Sequence, residues 1–327
     1  MVTSSRTLTV FGATGFIGRE LLRSLTKHNA AGSITLRVAS RSAKAKNLSS
    51  WKQLAPNVNA IQPLHCDVTN PDHVSEAVKG ATDVINCVGI LYETPSKNLT
   101  FAKIQQEAPN LIAEAVKESA TVKNVVHVSA IGADLDSPSA YARTKAMGEL
   151  ATLNLSNNDI ARVTVLRPSI VFGPEDSFFN RFENMSRYLP FLPLVGGGTT
   201  KYQPVHVQDV AAAIIKALAL NAEGDVPSGV YELGGKTVFT FRQLMQLVLD
   251  ATQRKRILLP IPFPVASIQG TAFELLHSVV PSVPPLLTRD QVELLKSDNV
   301  VSPSARTLYD LKIEPKACSL DTISYIR

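Results

Sequence analysis

The stretch "TVFGATGFIG", Thr9–Gly18, sets three glycines between an apolar run and a helical one. Gly12, Gly15 and Gly18 stand at GxxGxxG spacing. A turn without Cβ atoms lets backbone amides and a helix N-terminus approach a pyrophosphate, and the helix dipole favours its negative charge. A tight strand-to-helix turn without a ligand is the alternative, and the pattern on either side favours the dinucleotide.

Outward from this turn, strand-length apolar runs alternate with helical patterns. "LTVFG" precedes Ile17 to Leu25; "ITLRVA" follows; "AIQPLH" precedes His73 to Val78; "DVINCVG" precedes Ile104 to Val116; "NVVHVSA" precedes Tyr141 to Leu155; "RVTVLRPS" follows. This cadence predicts an α/β chain, a doubly wound parallel Rossmann sheet with helices on both faces and a smaller C-terminal lobe. We assign residues 1–240 to the NAD(P)-binding domain and 241–327 to the lobe. A long Phe- and Pro-containing loop from Val171 to Gly198 makes an excursion over 172–203 toward the lobe. One more strand-helix pair, "YQPVHV" and "DVAAAIIKALAL", precedes the strand "GVYELGG", and Thr240 with Gln243 announces the next helix as a capping box.

Composition shifts at Arg254. The stretch "RKRILLPIPFPVASIQGTAFELLHSVVPSVPPLLTR" opens with three basic residues, is rich in proline and has Glu274 as its only acid. Prolines 260, 262 and 264 give a stiff apolar entry, and Ile268, Phe273, Leu276 and Val280 fall at helix-face spacing. The span 254–289 is thus either a docking surface, with Arg254, Lys255, Arg256 and Arg289 meeting lipid phosphates, or an ordinary core helix.

The chain has 327 residues, 45% of them hydrophobic, enough for one large core or two modest ones. Cys66, Cys87 and Cys318 form no CxxC pair and no cluster at metal spacing, so a reducing compartment is expected, with no disulfide framework and no metal site. The net charge of +5 is mild and spread along the chain and fits a face toward acidic lipid as well as one toward nucleic acid, so charge alone decides nothing; no nucleic-acid partner is expected. No apolar run reaches the length of about 18 residues that suggests a spanning helix. The first strand begins almost at once, leaving no room for a cleavable presequence; either one has been removed from this numbering or targeting does not use one.

The second strand ends in "RVASRS", placing Ser40 and Arg41 where an NAD site carries a carboxylate for the ribose hydroxyls. An arginine there pairs with a 2′-phosphate, which favours NADPH/NADP over NAD(H). Asp67, after the third strand, is placed either to receive the adenine amino group or to cap a helix. "NCVG", Asn86–Gly89, ends the fourth strand where a cofactor would cross the sheet edge.

In "YARTKAMGE", Tyr141 and Lys145 are four apart and share a helix face, and Ser129 ends the preceding strand. A tyrosine hydroxyl titrates near 10 in water; a lysine cation beside it favours the phenolate, and the serine would hold a substrate carbonyl.

Together, "FGATGFIG", "NCVGIL", "VSAIGAD" and "YARTKAMGE" resemble the atypical extended short-chain dehydrogenase/reductase superfamily. Within it, "LRPSIVFGPEDSFFNRF", "YQPVHVQDVA", "YELGG", "LLPIPFP" and "TRDQVELLKSDNVV" resemble the accessory-subunit family of mitochondrial complex I and its bacterial relatives, from Leu8 to about Pro315. The resemblance implies a tightly held, mainly structural NADPH. Its cofactor-lining set would be Gly12, Thr14, Gly15, Phe16, Ile17, Gly18, Ser40, Arg41, Asp67, Val68, Cys87, Val88, Gly89, Tyr141, Lys145 and Pro168. Ser129, Tyr141 and Lys145 would form the catalytic triad. It also implies a place among complex I subunits near the quinone-access region, on the matrix side of the mitochondrial inner membrane. An active NADP-dependent oxidoreductase or epimerase, and a partner in ubiquinone biosynthesis, are the alternatives.

Overall fold

The computed structural model describes residues 6–28, 34–42, 60–218 and 227–326. Strands β1 (Arg6–Phe11), β2 (Ile34–Ser40), β3 (Ala60–His65), β4 (Asp83–Asn86), β5 (Asn124–Val128) and β6 (Arg162–Pro168) join with the later Gly229–Leu233, here β8, in one sheet. Its order is β8-β6-β5-β4-β1-β2-β3, and all its pairings are parallel. Buried on both faces, these strands read as near-continuous apolar runs. Successive residues face opposite cores: Leu8 and Val10 of β1 join Ile85 and Val126 on one side, while Phe11 joins Val84 and Val125 on the other.

The first face is covered by α1 (Phe16–His28) and α6 (Val207–Ala217), through Leu21, Leu22, Leu25, Val210 and Ile214. The second is covered by α2 (Pro71–Val78), α3 (Ala108–Glu118) and α4 (Ala140–Asn157), through Val74, Ile112, Val116 and Leu155. Because β2 and β3 lie to one side of β1 and β4 to the other, the order in which strands are added across the sheet reverses between β1 and β4. A crevice opens at the C-terminal ends of the strands there, the place where such sheets bind ligands.

A second core gathers Phe172, Phe179, Leu192, Leu194, Phe241, Leu244, Met245, Ile323 and Ile326. It is built from α5 (Phe179–Tyr188), β7 (Phe191–Val195) and α7 (Phe241–Thr252), with β9 (Ile257–Ile261) paired parallel to β7. The span read as a loop from Val171 to Gly198 therefore holds a helix and a strand. Its prolines and the polar run "FNRFENMSRY" hide both, and Asp176 starts the helix by accepting from the amides of Phe178 and Asn180 at 2.9 and 3.2 Å. "YQPVHV" yields only the two-residue pieces Lys201–Tyr202 and Val205–His206, outside the main sheet. The capping box at α7 forms as read, with the Gln243 amide 3.2 Å from Thr240 Oγ1 and the Thr240 amide 2.7 Å from Gln243 Oε1. Farther on, Leu308 and Leu311 return to pack in the core of the main sheet.

The span 254–289 contains α8 (Phe263–Val279), followed by the short α9 (Arg289–Leu294). Its inward face is small: Ala266, Gly270 and His277 are buried. Ile268, Leu275 and Val279, one above another on the opposite face, are 72%, 68% and 75% exposed. Leu276 and Val280 are exposed as well, but Phe273 turns partly inward, so the stripe differs from the one its spacing suggested. The basic residues before it also differ from expectation. Arg254 Nη1 pairs with Glu183 at 2.8 Å and Arg256 Nε donates to the Ser186 carbonyl at 2.8 Å, both holding α5, which leaves Lys255 and Arg289 exposed. Pro260 lies in β9, Pro262 caps α8 and Pro264 sits in its first turn.

Candidate functional site

The three glycines have different duties. Gly12 has φ +79°, and a Cβ on it would lie 2.9 Å from the Cys87 carbonyl carbon, so the turn presses against the end of β4. A Cβ on Gly18 would lie 2.3 Å from the Gly12 oxygen, so α1 packs directly on the turn. Gly15 is exposed at the start of α1, and a Cβ there would meet only the Gly12 oxygen at 3.2 Å. Two glycines close the turn and the third keeps the helix N-terminus open to an anion. Beside it, half-buried Thr14 brings Oγ1 to 3.4 Å from Ser40 Oγ at the end of β2. Ile17 packs on the core, and the Phe16 ring would lie 3.3 Å from a Cβ on Gly173.

Past Ser40, the Arg41 side chain is exposed and its carbonyl is 3.0 Å from His65 Nδ1 on β3. Asp67 Oδ1 accepts from the amide and hydroxyl of Thr69 at 3.0 and 2.8 Å. Burial pushes its pKa up, but those bonds, with Arg41 and His73 nearby, bring it below the ordinary carboxylate value. The helix cap that was the alternative for Asp67 is filled by Asn70, whose side chain accepts from the His73 amide. Val68 packs on the face of the main sheet covered by α2, α3 and α4.

At the end of β4, Asn86 Oδ1 accepts from the Val88 amide at 3.0 Å and shapes the turn through Cys87, Val88 and Gly89. A Cβ on Gly89 would lie 3.4 Å from Lys145 Nζ, so the lysine lies along that turn. Lys145 is buried and donates to the Val128 carbonyl at 3.0 Å. Burial lowers its pKa to about 8, against the raising influence of Glu149 and Cys87. Ser129 follows the last residue of β5, and its buried Oγ has no hydrogen-bond partner. Pro168 ends β6 beside it, accepting from the Ile131 amide at 3.0 Å. The fold thus brings Gly12, Cys87 to Gly89, Ser129, Lys145 and Pro168 to the C-terminal ends of β1, β4, β5 and β6.

Tyr141 is partly enclosed, its ring edge-on to Phe101 at 5.6 Å. Its pKa is raised to about 12, by burial first and then by the Asp290 carboxylate. The expected lowering by Lys145 is not seen, because the ammonium is turned to the Val128 carbonyl.

Three residues here were not foreseen. Asp290, on α9, accepts from Ser139 Oγ at 2.8 Å and from the amides of Ala140 and Tyr141 at 2.6 and 3.2 Å. Gln105, in a π-helical turn over Ala102–Glu107, donates to the Ile90 carbonyl at 2.8 Å and accepts from Thr144 Oγ1 at 3.0 Å. Pro109, four residues on, cannot donate to the Gln105 carbonyl, and Gly148 of α4 approaches that oxygen so closely that a Cβ would lie 2.2 Å away. Asn299 donates to the Ile131 carbonyl at 3.0 Å. The only local signal was the threonine-to-glutamine capping box at Thr288 and Gln291, which forms.

An open helix N-terminus, a turn closed by Gly12 against β4 and an unpartnered buried hydroxyl at Ser129 fit a dinucleotide lying across the switch point. Among the described residues, no group of His, Cys, Asp and Glu is arranged to hold a metal ion.

Residues 8–234 match the NAD dependent epimerase/dehydratase family. Over 310 residues the chain is 33% identical to the NADH dehydrogenase [ubiquinone] 1 alpha subcomplex subunit 9, mitochondrial, of Arabidopsis thaliana, covering 94% of this chain and 74% of that protein. It is 31% identical to the subunit of the same name from Mus musculus, covering 98% and 79%. Among solved structures, MoeE5 in complex with UDP-glucose and NAD superimposes with TM-score 0.68 at 16% identity, over 98% of this chain and 97% of that one. The dTDP-glucose 4,6-dehydratase DesIV of Streptomyces venezuelae, with NAD bound, gives 0.61 at 20% identity over 79% and 84%.

Proposed function

The chain belongs to the NAD dependent epimerase/dehydratase family, and from that premise we propose that it is an NADPH-holding accessory or assembly subunit of respiratory complex I. The observation that carries this reading is its similarity, over 94% of its length, to a complex I alpha subcomplex subunit 9. Since those relatives are mitochondrial by name, we place it in mitochondria, on the matrix side of the inner membrane. Its partners there would be complex I subunits near the quinone-access region.

In this reading Gly12, Gly15 and Gly18 hold the pyrophosphate, Ser40 and Arg41 select the 2′-phosphate, and Asp67 and Val68 flank the adenine. Thr14, Phe16 and Ile17 line the turn. Cys87, Val88, Gly89, Tyr141, Lys145 and Pro168 surround the nicotinamide half, whose chemistry when bound is hydride transfer. Tyr141 has its pKa raised to about 12, so near neutrality its hydroxyl is protonated, a state that can donate a proton but not abstract one. The outward stripe of Ile268, Leu275 and Val279, with exposed Lys255 and Arg289, supports docking of 254–289 on a membrane-embedded partner with anionic lipid at its edge.

A second reading, an active NADP-dependent reductase or epimerase, is favoured by one observation, the unpartnered Ser129 Oγ beside buried Lys145. Isolation of the tagged protein from mitochondrial membranes, followed by native electrophoresis and release of bound nucleotide, separates the two. Comigration with complex I carrying NADPH in near-stoichiometric amount supports the first; a free protein that consumes NADPH with a carbonyl substrate supports the second.

A further inference from the structure

The segment Thr288–Asn299 reaches the cleft from the far side at three places. The Asp290 carboxylate takes the Ser139 hydroxyl and the first amides of α4. Gln291 Nε2 donates to the Leu91 carbonyl at 3.1 Å, just past the Gly89 turn. Asn299 holds the Ile131 carbonyl from Nδ2, and its own Oδ1 accepts from Ser169 Oγ at 2.7 Å. On its outer side the same segment is gripped by α8. Glu274 Oε1 accepts from the Arg289 amide at 2.9 Å, and Gly270 packs so closely that a Cβ would lie 2.8 Å from that amide nitrogen. His277 Nε2 and Thr94 Oγ1 are 3.0 Å apart, tying α8 to the loop that follows Leu91.

The capping box of Thr288 and Gln291 fixes where α9 begins, so Asp290 falls in its first turn and faces the N-terminus of α4. The first amides of a helix have no intrahelical acceptor, and a carboxylate there satisfies them with charge-assisted bonds and complements the dipole. Ser139 alone caps the Ala142 amide; Asp290 supplies acceptors for Ala140 and Tyr141.

We propose that Asp290 is a positioning residue for the helix that carries Tyr141 and Lys145, and that through it the outer helix α8 and the nucleotide cleft are held in one arrangement. The proposal rests on the reading that the cleft takes a nicotinamide dinucleotide. Linkage then makes the coupling reciprocal: nucleotide in the cleft steadies α8 and α9, and covering the outer face of α8 tightens the nucleotide.

The test compares the full-length wild type with Asp290→Ala and Asp290→Asn, the latter keeping an acceptor without the charge. Three readouts are taken: titration of the Tyr141 hydroxyl by ring-labelled NMR, amide exchange with and without NADPH, and NADPH affinity. In Asp290→Ala the Tyr141 pKa should fall from about 12, and NADPH binding should weaken by roughly two- to thirtyfold, the scale of a lost helix cap. NADPH should slow exchange across 263–299 in wild type, less in Asp290→Asn and not in Asp290→Ala. An unchanged Tyr141 titration in both variants, with exchange across 263–299 indifferent to bound NADPH, overturns the proposal. If wild type binds no NADPH, the cofactor reading falls instead; Asp290 is then judged by the Tyr141 titration and by exchange over 139–157. Should Asp290→Ala not fold, Asp290→Asn carries the same titration.

Discussion

Lys145 Nζ donates to the carbonyl of Val128 at 3.0 Å inside a site that holds its pKa down to about 8. The free amine is thus favoured by the fold and the ammonium is penalised. The unfolded chain binds the proton more tightly, near 10.5, so this group contributes stability that grows as pH rises from about 8 to 10.5 and is lacking below 8. Lys145→Met should therefore stabilise the nucleotide-free protein at pH 6.5, by about 2 kcal/mol once the lost hydrogen bond is set against the relieved charge. The advantage should shrink toward pH 10. Urea unfolding of both proteins across that range, taken as a difference so that thiols and tyrosines cancel, checks it; a constant difference would mean that Lys145 reaches solvent.

The glycines separate packing from binding. Gly15→Leu fills the only open side of the turn, so it should abolish NADPH binding while leaving the ligand-free melting temperature nearly unchanged. The lost stabilisation is that of linkage, about 4 kcal/mol at a thousandfold excess over Kd. Gly18→Ala should act in the opposite sense, since its Cβ would lie 2.3 Å from the Gly12 oxygen and force the turn apart. Thermal scans of both variants with and without NADPH read out the difference. A Gly15→Leu protein still stabilised by NADPH would place the pyrophosphate elsewhere.

On the proposed reading, nucleotide choice turns on Arg41. Its exposed guanidinium stands past the end of β2, with the Ser40 hydroxyl beside Thr14 where an NAD site carries a carboxylate on the strand itself. Arg41→Glu should weaken NADPH binding by roughly a hundredfold, twice the logarithmic loss of one charge-assisted contact, and should leave NADH binding within a few-fold. Parallel titrations with the two nucleotides decide. Equal loss for both would make Arg41 a backbone contact.

The central sheet was legible because parallel strands buried on both faces are continuous apolar runs, and because the glycine turn marks where the first strand meets its helix. The same holds for the Thr240 box, which is a local signal. Helix α5 was hidden because its start is fixed by a single side chain, Asp176, inside a run that otherwise reads as a loop. Asp290 was hidden for a stronger reason: its partners lie 149 to 151 residues away, and no periodicity encodes a contact between two helix N-termini. For Tyr141 and Lys145 the spacing predicted a shared face correctly. Their electrostatics depended on the Val128 carbonyl and on Asp290, neither of which spacing reveals.

The outer face of α8 gives the last prediction. Reversing all three basic residues at 254–256 would not test docking, since Arg254 and Arg256 hold Glu183 and Ser186 and their loss would loosen the second core. Ile268→Asp with Leu275→Asp changes two side chains that are mostly in solvent, while the inward face of Ala266, Gly270 and His277 is untouched. Surface substitutions away from packed features cost within about 0.5 kcal/mol, so the double variant should keep its melting temperature to within a few degrees and bind NADPH as before. If that face docks on an apolar partner with anionic lipid at its edge, as proposed, two carboxylates there should remove the protein from the membrane complex. Lys255→Glu should weaken that association by a smaller factor that diminishes as salt is raised. Native electrophoresis of membranes carrying each variant measures it. Wild-type comigration of the double aspartate variant would show that α8 faces water in the assembly, and the docking surface would have to lie elsewhere on the molecule.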